Sequence, residues 1–204
     1  MNTPGFLLFA ALVVSAASCT PGTGNNQIGS PPASDSASVS KPVRAEELII
    51  PGRSIGMTAL GETSESVHKR MGAPDLGDAA MGKSTAEWYA NHDTTSFVTQ
   101  VYFSRSDDDE VKRAKQIRIT SSFFKLGDGS SVGTPFLKIA GLYSPKKVAT
   151  FTDRGSFRVL YDDAQTGIAF ETDTATVIRG ITIHEPGKEV TATYLPFFPD
   201  IKHQ

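Results

Sequence analysis

Gly52-Arg53-Ser54-Ile55-Gly56 returns as Gly129-Ser130-Ser131-Val132-Gly133, 129 − 52 = 77 residues later. Each copy opens a segment with the same later landmarks, which is the pattern of an internal duplication. After the first copy, Thr63 or Ser64 is placed to cap a short helix. Val67 and Met71 stand one turn apart on it, Gly72 closes it, and Pro74 bars its extension. After the second copy, Thr134 caps and Pro135 takes the first helical position. Phe136, Leu137, Ile139 and Ala140 supply apolar surface, and Gly141 ends the helix.

Strand-like runs follow each helix. In the first copy they are 87–90, 97–104 and 111–124, with Phe97, Val101 and Phe103 on one face and Ile117 and Ile119 on another. In the second they are 157–161, 168–170 and 177–184, with Phe157, Val159 and Tyr161 in phase. Ile117-Arg118-Ile119 corresponds to Ile181-Thr182-Ile183. Connectors as short as Asp107-Asp108-Asp109 and Ala164-Gln165-Thr166-Gly167 suit antiparallel hairpins, because parallel strands need long crossovers. The expected fold is α+β: two tandem units, 46–126 and 127–190, each a short helix followed by an antiparallel three- or four-stranded meander.

Ahead of these units the chain has a different character. Phe6 to Ala17 is an apolar run too short to span a bilayer and suited to a signal-peptide core, although the usual basic residues before it are missing. It is followed by Ser18 and by Cys19, the only cysteine of the 204 residues. A cysteine directly after small residues at a cleavage boundary resembles the lipobox of bacterial lipoproteins, with Ala16 where that family most often has leucine. The resemblance implies a signal peptide over 1–18 and an acylated Cys19 as the first mature residue. The alternative is an ordinary secretory signal that leaves a stray thiol. Residues 19–45 are rich in Pro, Gly, Ser, Ala and Asn, with little to bury, and read as a flexible tether. The expected location is the cell envelope, lipid-anchored and facing the periplasm.

Composition fits a packed body behind this anchor, with 39% hydrophobic and 21% charged residues. A net charge of −2 with scattered Lys and Arg gives no electrostatic case for nucleic acid or anionic lipid as partner. One cysteine forms no internal disulfide, so stability rests on packing.

The glycine-rich entry, the short helix ending in Gly-x-Pro and the meander, used twice, resemble the β-lactamase-inhibitor-protein-like architecture. Used once, the same unit builds the small lipoprotein of the outer-membrane barrel-assembly machine. The resemblance covers about Leu48 to Pro186 and implies a non-catalytic protein that binds other proteins on a sheet surface. The inhibitor braces its units with disulfides that this chain does not form, so β-lactamase inhibition is not carried over.

Several catalytic patterns match by letter and fail by context. Gly77 to Ser84 fits the phosphate-binding G-x-x-x-x-G-K-[ST] loop, which must follow a buried strand and open a helix. Here Gly72-Ala73-Pro74-Asp75-Leu76 precedes it and the strand carrying Trp88 and Tyr89 follows. Both glycine pentapeptides fit G-x-S-x-G, through Ser54 and Ser131, but a nucleophile elbow passes straight from strand to helix, and duplication adds nothing to a nucleophile. Ser66 to Lys69 and Ser144 to Lys147 fit S-x-x-K without its companion motifs. The four histidines are far apart, and Asp107 to Glu110 lacks the glycine and distant glutamate of a calcium loop. Asp162 and Asp163, adjacent on a strand, point to opposite faces and make a poor acid–base pair.

No catalytic residue, metal or cofactor, nucleotide included, is therefore expected. The expected role is a non-catalytic protein-binding module, an adaptor, inhibitor or assembly accessory whose partner is another envelope protein. The alternative is a small envelope serine hydrolase using one of the G-x-S-x-G serines. Candidate contact residues are Trp88 and Tyr89, which the pleat sends to opposite faces, and Tyr194, Phe197 and Phe198 of the aromatic, proline-broken tail 191–204. That tail either docks on the body, sealing a groove, or stays free to bind.

Overall fold

The computed structural model describes residues 42–192, 197–198 and 200–203. The expected signal peptide, Cys19, nearly all of the expected tether, and Tyr194 lie outside the described residues.

The chain opens with three two-residue strands, β1 (Ile49–Ile50), β2 (Ser54–Ile55) and β3 (Thr58–Ala59), which form a small antiparallel sheet. The first glycine pentapeptide is thus a turn and the central strand of this sheet. The helix α1 (Ser64–Met71) follows, capped as the sequence implies: Thr63 Oγ1 accepts from the Ser66 N–H at 3.2 Å. Gly72, at φ +83°, ends it with its N–H on His68 O. Four strands come next: β4 (Leu76–Ala80), β5 (Lys83–Tyr89), β6 (Val98–Ser106) and β7 (Asp109–Ile119). Then come α2 (Phe136–Ala140), β8 (Lys146–Asp153), β9 (Ser156–Asp163), β10 (Ile168–Thr172), β11 (Ile178–His184) and a last short strand, β12 (Lys202–His203). Thr134 does not cap α2. Its hydroxyl oxygen accepts from the Ser131 N–H, and Pro135 stands at the cap position with no side-chain bond to offer.

The α+β expectation is overturned. Among the described residues the α-helices have only eight and five residues. The long strands do not stay in separate meanders but join one nine-stranded antiparallel sheet, ordered β12-β8-β9-β10-β11-β7-β6-β5-β4. The fold is predominantly β. The join is the pairing of β7 with β11, where Ile117 faces Ile183 and Ile119 faces Ile181. The two segments that match in sequence are thus hydrogen-bonded to each other, each satisfying a backbone edge that would otherwise stay open. The two-residue strands β1, β2, β3 and β12 are too short to show alternation, and two longer strands, β4 and β8, carry no sequence signal either. β4 falls in the stretch taken for a connector, and β8 carries too many polar residues to announce itself.

Both faces of the sheet are covered, so alternation here separates two cores rather than core from solvent. On the first face Val101, Phe103, Ile117, Ile119, Phe170, Ile181 and Ile183 pack under Val67 of α1, Ile139 of α2 and Ile49 and Ile55 of the small sheet. On the second face Tyr102, Ala149, Phe151, Leu160 and Ala169 pack under Val190, Phe197 and Phe198. Each fully buried aliphatic or Phe side chain contributes about 1.5–3 kcal/mol. The tail is therefore docked. Phe197 and Phe198 are 3% and 2% exposed, and β12 pairs with β8 at Lys202–Thr150. The opposite edge, β4, has five exposed residues and no outer neighbour among the described residues.

Beneath the tail the second face holds a buried ion cluster. Arg118 donates from Nε and Nη2 to the two carboxylate oxygens of Glu171, each at 2.6 Å. It also reaches Gln100 Oε1 at 2.5 Å and Asp153 Oδ2 at 3.0 Å, and its guanidinium lies 5.8 Å from the Phe198 ring centroid. Burial alone would lower the Arg118 pKa; the Glu171 and Asp153 carboxylates outweigh it and raise it. Nearby, His184 Nε2 lies 2.9 Å from Asp162 Oδ1, and Asp162 Oδ2 accepts the Val190 N–H, tying β11 and β9 to the start of the tail.

Candidate functional site

The catalytic patterns dissolve in three dimensions. Residues 77–84 form the β4–β5 hairpin, with Ala80 opposite Lys83. Its two-residue turn, Met81 at φ +48° and Gly82 at φ +77°, has both residues left-handed, as a tight hairpin turn demands. Strand, turn and strand offer no helix N-terminus for a phosphate. Ser131 donates its hydroxyl to Val132 O, and among the described residues neither Ser54 nor Ser131 is hydrogen-bonded to a histidine. Among the described residues no three His, Cys, Asp or Glu side chains gather in a way that could hold a metal.

The contact candidates fare differently from one another. Phe197 and Phe198 are core and offer no surface. Trp88 and Tyr89 do go to opposite faces: Trp88 packs in the first core, 8% exposed, its indole N–H on Gly72 O at 3.1 Å. Tyr89 stays half-buried, its backbone N–H on Asp75 Oδ2 at 2.7 Å and its hydroxyl donating to Glu87 Oε2 at 2.6 Å. Burial and the Glu87 carboxylate push the Tyr89 hydroxyl up to about 12. The Tyr89 N–H, with His92 behind it, holds the Asp75 carboxyl below its usual range.

Both residues line a shallow cleft of about 270 Å³ at the end of β5 and β6, together with Phe97, Phe123 and Phe124. Phe97 and Phe123 are 53% and 48% exposed. Phe97 was expected to share the core face of Val101 and Phe103. The strand begins at Val98, however, and the residue before it turns outward. The loop presenting Phe97 is held: Asp93 Oδ1 accepts from Thr95 N–H and hydroxyl, the Ala90 N–H reaches Phe97 O, and Arg154 Nη1 donates to Thr95 O and Ser96 O. Phe123 stacks edge-on against Phe124 with centroids 5.2 Å apart. The outcome is two exposed rings on an ordered frame. A run of adjacent aromatics at 123–124, just past the last alternating residue of β7, is the signal that marks Phe123 in the sequence.

No protein-family model matches the chain, and no curated protein matches it. Among solved structures it is similar to a cysteine-rich secretory protein from Staphylococcus aureus, at 11% identity and a TM-score of 0.42, covering 80% of this chain and 59% of that one. A likeness at that level carries no inference.

Proposed function

We propose that this chain is a non-catalytic binding module of the cell envelope, tethered through lipid on Cys19, that engages another envelope protein at the cleft around Phe97 and Phe123. One observation supports it above others: two phenylalanines keep about half their surface in water, 53% and 48%, although the loop that carries Phe97 is braced by hydrogen bonds and Phe123 is packed against its neighbour. Fixed, exposed aromatic surface is costly to maintain and is where protein partners dock, because little ordering entropy is lost on binding. The envelope address rests on the leader and its cysteine.

The test is capture by the mature, anchored protein from its own envelope, with Phe97→Ser/Phe123→Ser beside wild type. Both residues keep about half their surface in water and lie outside the two cores, so the double variant should melt close to wild type. It should lose the captured partner. Retention of the same partner by a folded double variant would refute this use of the cleft.

A further inference from the structure

Four guanidiniums gather where the second face ends beneath Phe97: Arg118, Arg154, Arg158 and Arg179. Three carboxylates answer them. Glu171 takes Arg118, Asp153 bridges Arg118 at 3.0 Å and Arg154 at 3.7 Å, and Asp173 takes Arg179 at 2.7 Å. The balance within this group is 4 − 3 = 1 positive charge. Geometry assigns the surplus to Arg158, which has no ion pair among the described residues. Its Nη1 donates only to the carbonyl of adjacent Phe157 at 3.1 Å, and its Nε, closed off from water, has no acceptor. Glu87 accepts from the Tyr89 hydroxyl and forms no ion pair with Arg158.

Arg158 also lines two adjoining hollows. One, of about 260 Å³, lies against Arg154, Thr120 and Phe97; the other, of about 440 Å³, lies against Asp173 and Phe157. A cation that no described residue pairs, lining two open hollows, is poised for an anion. We propose that the hollow at Arg158 binds a carboxylate. No carboxylate holds this guanidinium in place, so the side chain is free to turn its Nε–Nη2 edge into the hollow, where a two-oxygen acceptor gives Nε the partner it lacks. A dianion suits the site less well. Its second charge has no surplus cation to meet, and each hollow already carries a carboxylate, Asp153 in the smaller and Asp173 in the larger.

The carboxylate comes either from a free small acid or from an acidic side chain of a bound polypeptide. Phe97 lines both this hollow and the aromatic cleft, so an aromatic residue next to a Glu or Asp would fill both; that second step rests on the proposed function. The experiment uses the mature chain and follows the arginine Nε–H resonances by NMR during titration with acetate, with chloride and inorganic phosphate at equal ionic strength in parallel. Acetate should shift the Arg158 resonance saturably below about 100 mM, the weak end of the scale expected for so small a ligand. Arg158→Gln should abolish acetate-dependent shifts at Phe97 and Thr120 while melting like wild type, since it breaks no ion pair. Arg158→Lys, which keeps the charge but not the fork, should weaken binding at least fivefold, and Arg53→Gln, at a distant exposed position, should change nothing. Absence of saturation, the same shifts in Arg158→Gln, or tighter binding of phosphate would each overturn the assignment. Acetyl-Phe-Glu-amide binding at least tenfold tighter than acetate, with the advantage lost in Phe97→Ser and in acetyl-Phe-Gln-amide, supports the polypeptide source. Equal affinity for acetate and the dipeptide supports the free acid and keeps the site, while removing its link to the cleft.

Discussion

Phe198→Ala removes a ring that is 2% exposed, set edge-on to Phe151 with centroids 4.9 Å apart and lying over the Arg118 guanidinium. Truncating a buried phenylalanine costs about 3–5 kcal/mol through lost transfer energy and the cavity left behind. The upper end applies here because the cavity would sit above a buried ion cluster, which the neighbouring side chains cannot fill without exposing charge to a void. For a folded body of this size each kcal/mol moves Tm by about 2–4 °C, so a loss near 5 kcal/mol should lower melting by about 10–20 °C. Thermal and urea unfolding followed by circular dichroism measure this, with Phe97→Ala as the exposed comparison expected to move Tm by no more than about 2 °C. If Phe198→Ala melts within about 2 °C of wild type, the tail does not seal the second face, and Arg118 and Glu171 must be satisfied in another way.

Gly180→Ala tests the ion cluster itself, because a Cβ there would stand 2.5 Å from Glu171 Oε2, which Arg118 pins in place. It should cost about 1–3 kcal/mol, whereas Gly141→Ala, with open space around it, should fall within about 0.5 kcal/mol of wild type. Tyr89 should titrate near 12 rather than at the ordinary 10.0 by phenolate absorbance, and Glu87→Gln should bring it down. A raised folded-state pKa means the folded protein holds its proton longer. The stability this confers is full below pH 10 and is lost as pH rises towards about 12, which alkaline unfolding midpoints will read. Cys19→Ser should leave the protein unprocessed or release it from membranes; a native mature protein with an unmodified thiol there would refute lipid attachment.

Local chemistry was legible where it acts alone. Thr63 and Gly72 delimit α1 as read because a cap hydroxyl and a left-handed glycine work within one turn of chain. Val101 and Phe103 of β6 share a face as read, and so do Ile117 and Ile119 of β7, because the pleat imposes that on any strand. Phe97 and Phe157 break the pattern for a reason alternation does not contain: Phe97 stands just before β6 and Phe157 at the start of β9, and each stays about half exposed.

The site was less legible than the fold. Trp88 and Tyr89 do line the cleft, but its exposed rings, Phe97 and Phe123, had been assigned to strands. Arg118, Glu171 and Gln100 have the look of a solvated face, and they are buried only because a tail some eighty residues downstream of Arg118 folds back over them. Arg158 is indistinguishable in the sequence from Arg154 or Arg179; its lack of a carboxylate is a fact of three-dimensional neighbours.

By itself the sequence determined the alternating strands β5, β6, β7, β9, β10 and β11, the capped first helix and the repeat that matches Ile117-Arg118-Ile119 with Ile181-Thr182-Ile183. Tertiary structure alone decided that these matching segments pair with each other and merge everything into one sheet, and that the tail closes its second face. The physical reason is that periodicity specifies which side chains share a face, while the choice of edge partner and of cover depends on backbone groups and distant apolar surface that every strand presents alike.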